Sequence, residues 1–317
     1  MTPAIRTAEL SKRYGSRTAL HGLDLTIETG SVFGLIGPNG AGKTTTLRML
    51  LDIIRPTSGT ARVLGTDPRT GGPALRRRIG FVPGELRLEG RVKGRALLEH
   101  FADISGPVKP GAIDALAERL GLDLTRQVRT LSKGNKQKLG LVQAFMHSPE
   151  LLVLDEPTSG LDPLVQREFL TMVREARDNG QTVLLSSHVL SEIQQTADAV
   201  AVLSQGRVVA EGAVEFLRLA SIRRVRAGLA GTSADAVRTA LGKLAHVRDL
   251  DVVATGEVVR LTATVNGDID AVVKAIARHR VVDLAVEEPD LEESVLGLYG
   301  GSTASHEHET AEEADRA

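Results

Sequence analysis

A chain of 317 residues, 42% hydrophobic and 25% charged, is globular in composition and long enough for two domains with a self-sufficient core. A formal net charge of −1 gives no general attraction to nucleic acid or anionic lipid, and the lack of cysteine excludes disulfides and thiolate metal sites and fits a reducing compartment. The first thirty residues hold no apolar secretory segment and no apolar run approaches the ~20 residues of a membrane helix, so the chain reads as cytoplasmic. Any membrane role then has to come through a partner.

Residues 1–30 contain short alternating runs, "AIRTAEL" and "LHGLDLTIETG", broken by "YGSR" and "TG", which predict small antiparallel strands. "SVFGLIG" (31–37) is a continuous apolar strand of the kind buried in a parallel sheet, and it leads into a glycine-rich turn and a helix from about Lys43 to Leu51. Residues 86–150 are mostly helical in pattern, with "GPVKPG" (106–111) as a loop. "LLVLD" (151–155) and "TVLLSS" (182–187) are further buried strands, each followed by a helical pattern, so the core is predicted to be parallel α/β. "AVAVLSQGRVVAEG" (199–212) reads as a closing hairpin. After about Phe216 the order becomes βαββαβ, that of a ferredoxin-like unit, with a last helix in "LEESVLGLYG". The expected organisation is a domain over 1–217, an accessory α+β domain over 218–300 and a disordered acidic tail over 301–317.

The strongest chemical signal is "GPNGAGKTT" (37–45), which fits G-x-x-x-x-G-K-[ST] between a buried strand and a helix. Gly37, Pro38, Asn39, Gly40, Ala41 and Gly42 form the loop whose backbone N–H groups turn toward phosphate oxygens, and the helix start at Thr44 and Thr45 adds positive potential. In that pattern Lys43 neutralises β- and γ-phosphates and the Thr44 hydroxyl ligates Mg²⁺. "LLVLDEP" (151–157) ends a buried strand in two acids. Asp155 is placed to hold the metal, usually through water, and Glu156 to take a proton from water attacking the γ-phosphate.

With "LSKGNKQ" (131–137), "LLVLDEPTSGLD" and "SSH" (186–188) following the phosphate loop in that order, residues 4–215 resemble an ABC-type ATPase, the ATP-binding subunit of ABC transporters. The resemblance implies MgATP sandwiched in a head-to-tail dimer. Ser132 and Gly134 would then contact the γ-phosphate of nucleotide held by the opposite subunit, and Asp162 would support the site at the dimer interface. His188 would reach the γ-phosphate, and Tyr14 would stack on adenine. Lys133 stands where glycine is commoner; it either adds charge to the opposite phosphate or faces solvent. Where the family usually has a metal-touching glutamine after "IGFVP", this chain has Gly84 followed by Glu85.

The variant signature and the C-terminal extension most resemble ATPases of bacterial ABC-2-type drug and antibiotic exporters. That implies a separately encoded permease, a homodimer of ATPase chains and a peripheral place on the cytoplasmic side of the membrane. A soluble ABC ATPase acting on ribosomes usually carries two cassettes, and only one phosphate loop is present. Chromosome or DNA-repair ATPases insert a long coiled coil between phosphate loop and signature, and no sustained heptads occur here. A P-loop kinase or weakly hydrolysing adaptor is opposed by Glu156 and His188, while Gly84 leaves room for weak activity.

Overall fold

The computed structural model describes residues 2–86, 88–214 and 222–287. The chain divides into two compact units, Met1–Val214 and Glu215–Ala317. In the first, β1 (Ile5–Tyr14) and β2 (Arg17–Ile27) pair antiparallel, and β4 (Ser58–Val63) joins the other edge of β1 to give the order β2-β1-β4. Alternation decides which side faces in: Leu20, Leu23, Leu25 and Ile27 of β2 are buried, and Asp24 and Thr26 are exposed.

The second sheet of this unit has six strands in the order β5-β6-β7-β3-β8-β9. Its strands β5 (Ile79–Val82), β6 (Leu151–Asp155), β7 (Thr182–Ser187), β3 (Val32–Ile36) and β8 (Ala199–Ser204) run parallel, and β9 (Arg207–Ala213) returns antiparallel to β8. Every residue of β3, β6 and β7 is buried, as expected of mainly apolar strands when both sheet faces are covered. The helix α1 (Lys43–Leu50) follows β3, and α2 (Pro68–Arg76) precedes β5. The stretch expected to be helical holds α3 (Gly94–Ser105), α4 (Ala112–Arg119) and α5 (Lys133–Phe145). The helix α6 (Pro163–Asp178) follows β6, and α7 (Leu190–Thr196) follows β7. Because β3, β6 and β7 are adjacent, the loops at their C-terminal ends meet, and those loops carry the phosphate motif, the two acids and His188.

The second unit has the predicted βαββαβ order: β10 (Ile222–Ala230), the helix Ala234–Leu241, β11 (Val247–Thr255), β12 (Val258–Asn266), the helix Asp270–Ile276 and β13 (Arg280–Glu287). Its strands are all antiparallel in the order β11-β12-β10-β13, which is the ferredoxin-like arrangement. Val225, Leu229, Val259 and Leu261 pack with Val237, Leu241, Val272 and Ile276 of the two helices. The helix expected in 291–300 and the tail at 301–317 lie outside the described residues.

One buried histidine makes stability depend on pH. His147 follows α5 and is 9% exposed. Burial pushes its pKa below the ordinary 6.5, against the opposing pull of the backbone at Ile79 and Gln143. Above that value both folded and unfolded chains are neutral here. As pH falls below it, the unfolded chain takes up a proton that the folded chain refuses, so stability declines until the folded pKa is reached. Urea midpoints measured from about pH 8 down to about pH 5 should fall less steeply for His147→Gln than for the wild type. Equal slopes would show that His147 is protonated as easily when folded.

Candidate functional site

Strand β3 delivers the chain into the 37–42 loop, whose shape only glycine permits at two places. A Cβ on Gly37 would lie 2.3 Å from Leu203 O, and Gly42 has φ of 112° at the start of α1. The turn between β8 and β9 props the loop from behind: Gly206 N donates to Ala41 O (3.0 Å), and His21 N donates to Gly206 O (2.8 Å). A cleft of roughly 450 Å³ opens over the loop. Its walls are Tyr14, Arg17 and Ala19 on one side, residues 38–45 below, and Glu156 on the other side. Tyr14 is 49% exposed, with Lys12 Nζ 5.0 Å from its ring centre.

Lys43 is 5% exposed, and its ammonium is held by Gly37 O (2.5 Å) and by Glu156 Oε1 (3.1 Å). The second carboxylate oxygen of Glu156 is hydrogen-bonded to Nδ1 of His188. Glu156 therefore bridges the phosphate loop and the end of β7. Its own backbone is left-handed, with φ of 48°. Glu156 N donates both to Ser186 O (3.2 Å) and to Ser186 Oγ (3.1 Å).

The same Ser186 hydroxyl donates to Asp155 Oδ1 (2.7 Å), so one side chain aligns both acids. Asp155 is 2% exposed, and no cationic side chain among the described residues pairs with it. A buried carboxylate without a cation is costly, so this one suits a bound metal ion. Thr44, in the first turn of α1, is the second predicted ligand. Two protein groups are enough for Mg²⁺, which keeps several waters and takes substrate phosphates as further ligands. Gly84 lies beside this carboxylate: a Cβ there would stand 3.2 Å from Asp155 Oδ2. A side chain at 84 would have to displace the acid slightly, so the glycine leaves it undisturbed.

Ser132, Gly134 and Asp162 do not line the cleft formed by their own chain. Ser132 caps α5, accepting from Asn135 N (3.3 Å), and Asp162 caps α6, accepting from Val165 N (3.0 Å). Lys133 is exposed and also makes contacts within its own chain. Its Nζ donates to Ser159 Oγ in the same chain (3.3 Å), and its stem lies across Gly160. The close approach is possible because Gly134 has no Cβ, which would stand 2.6 Å from Gly160 O. Sequence reasoning missed Arg17, Gly206 and Ser186. Only Ser186 had a signal, its place in "SSH" directly after a buried strand, and its role depends on pairing with Asp155 across β6 and β7.

The ABC transporter family model matches residues 20–159. The bacitracin transport ATP-binding protein BcrA of Bacillus licheniformis is 38% identical over 221 residues, 69% of this chain and 72% of that protein. The daunorubicin resistance ATP-binding protein DrrA3 of Streptomyces coeruleorubidus is 37% identical over 94% of this chain and 96% of its own length, so that likeness extends through the C-terminal unit. Among solved structures, an ATP-binding subunit of an ABC transporter superposes with a TM-score of 0.63 at 29% identity, covering 68% of this chain and 92% of that one.

Proposed function

Because this chain belongs to the ABC transporter family of ATP-binding subunits, and is thereby an ATP hydrolase, we propose that it powers export of a drug, antibiotic or similar small molecule through a separately encoded ABC-2-type permease. The names of its relatives support the class of cargo: one acts in bacitracin transport and another in daunorubicin resistance. No helix among the described residues is long and apolar enough to cross a membrane, so the reading places the chain peripherally, on the cytoplasmic face of its permease.

The observation that carries the catalytic reading is the placement of Glu156 between Lys43 and His188 at the wall of the phosphate cleft. ATP would lie with its adenine on Tyr14 and its phosphates in the 37–45 loop. Backbone N–H groups and Lys43 then meet the phosphate oxygens, and the incoming phosphate competes with Glu156 for the lysine. Mg²⁺, held by Thr44 and Asp155, supplies charge neutralisation on the phosphates when bound. Glu156, released from Lys43, accepts the proton of the water that attacks the γ-phosphorus, and His188 keeps the carboxylate oriented and reaches the γ-phosphate.

Ser132 and Gly134 serve the site of a second copy. Their separation from the cleft of their own chain supports this, as does the exposure of Ser132 at the start of α5. In a head-to-tail dimer each α5 start would enclose the γ-phosphate bound by the other chain, with Asp162 fixing the adjoining loop. Phosphoryl transfer depends on positioning and charge stabilisation, so a monomer, with the γ-phosphate half enclosed, should turn over slowly. Closure and reopening of the dimer would move the permease between its two states.

Affinity purification of the tagged chain from detergent-solubilised membranes of its native cell tests the transport role. A polytopic membrane protein should copurify in stoichiometric amount. Recovery with ribosomes and without a membrane partner would overturn the transport reading and leave the ATPase assignment intact.

A further inference from the structure

The start of α5 is fastened at three points to the loop that follows Glu156, all within one chain. Lys133 Nζ reaches Ser159 Oγ at 3.3 Å, and the lysine Cγ, Cδ and Cε lie 3.5–3.6 Å from the position a Cβ on Gly160 would take. Gly134 abuts Gly160 O. Beneath them Gln137, 3% exposed, donates from Nε2 to Pro157 O (3.0 Å).

The loop itself is tight, with Ser159 N donating to Glu156 O (3.1 Å) and Leu161 N to Thr158 O (3.0 Å). At its root, Glu156 holds a left-handed backbone that a side chain adopts only when its surroundings impose it. The loop that Lys133 and Gln137 grip is thus continuous with the backbone from which the Glu156 side chain leaves toward Lys43 and His188. A glycine at 133 has neither a stem to cover Gly160 nor a donor for Ser159, and lysine has both.

We propose that Lys133 is a positioning residue for hydrolysis: by gripping Ser159 and Gly160 it holds the loop that aims Glu156, and it does not contact phosphate. The inference rests on the reading of Glu156 as the base.

Four variants of the full chain test it: Lys133→Met, which keeps the stem and loses the ammonium, Ser159→Ala, the double variant, and Lys133→Arg. Steady-state ATP hydrolysis is measured with the melting temperature of each. Lys133→Met and Ser159→Ala should each lower kcat about three- to tenfold with KM for ATP changed less than about twofold. The double variant should be no slower than the slower single one, because both changes cut the same contact. Lys133→Arg should keep most of the rate.

A rise in KM with kcat unchanged for Lys133→Met would place the lysine on nucleotide and overturn the proposal. So would additive losses, or a loss for Lys133→Met with none for Ser159→Ala. A fall in melting temperature with unchanged kcat would reduce the contact to packing and overturn it too. The base assignment fails on a different result, normal turnover by Glu156→Gln.

Discussion

Replacing Glu156 by glutamine should lower ATP turnover by at least about a hundredfold while the variant still binds ATP, and binds it at least as tightly as the wild type. The rate loss follows from removing the group that accepts the proton of the attacking water, a contribution of about 10²–10⁴ in comparable cases. Binding survives because the amide keeps the shape of the carboxylate. Affinity should also rise, since Oε1 of Glu156 now sits 3.1 Å from Lys43 Nζ, and a neutral amide leaves that charge to the phosphate. With chemistry blocked, ATP should accumulate an associated dimer. Phosphate release, nucleotide titration and size-exclusion chromatography with ATP measure the three effects. Hydrolysis at the wild-type rate would remove Glu156 from the role of base.

Lys43→Met should act on binding first. The methionine can fill the channel of the lysine stem but supplies no charge to the phosphates. Loss of a charged hydrogen bond of this kind costs about 1.5–3 kcal/mol, so ATP affinity should drop roughly ten- to a hundredfold and turnover should be lost with it. The fold should survive with modest destabilisation. Glu156 loses its ammonium partner, but its side chain is 18% exposed and it keeps the contact with His188. A melting curve that no longer responds to millimolar MgATP, on a chain that still melts cooperatively, is the expected pattern. Undiminished stabilisation by MgATP would place the phosphates elsewhere.

The parts of this molecule that could be read from sequence are those where one local pattern has one physical outcome. The spacing of Gly37, Gly42, Lys43 and Thr44 after an apolar strand specifies a phosphate loop, because few other sequences can bend the backbone that way. The apolar runs within β3, β6 and β7 likewise point to a buried parallel sheet. In contrast, β4 and α2 went unread. Only Val63 is buried in β4, so no alternation marks it, and α2 contains Gly71, Gly72 and Pro73 with a non-helical Gly72.

The site residues that escaped detection act through contacts between distant segments. Ser186 matters because sheet pairing sets it opposite Asp155, and Gly206 because its turn backs the phosphate loop. Lys133 reads as a surface charge until Gly134 is seen to let α5 approach Gly160. At Gly84 the sequence records only a missing glutamine, and its proximity to the Asp155 carboxylate emerges with the fold.

The central claim is that each catalytic site is assembled from two chains, Lys43 and Glu156 from one and Ser132 and Gly134 from the other. It is tested most directly by mixing two inactive variants, Lys43→Met and Ser132→Arg. Each homodimer then has a damaged half in both sites. A mixed dimer has one site damaged in both halves and one wholly intact, because symmetry pairs the sound phosphate loop of one chain with the sound α5 start of the other. ATP hydrolysis should therefore reappear on mixing and grow with the fraction of mixed dimer. If the mixture stays as inactive as its components while mixed dimers form, Ser132 serves the site of its own chain and the two-chain account is wrong.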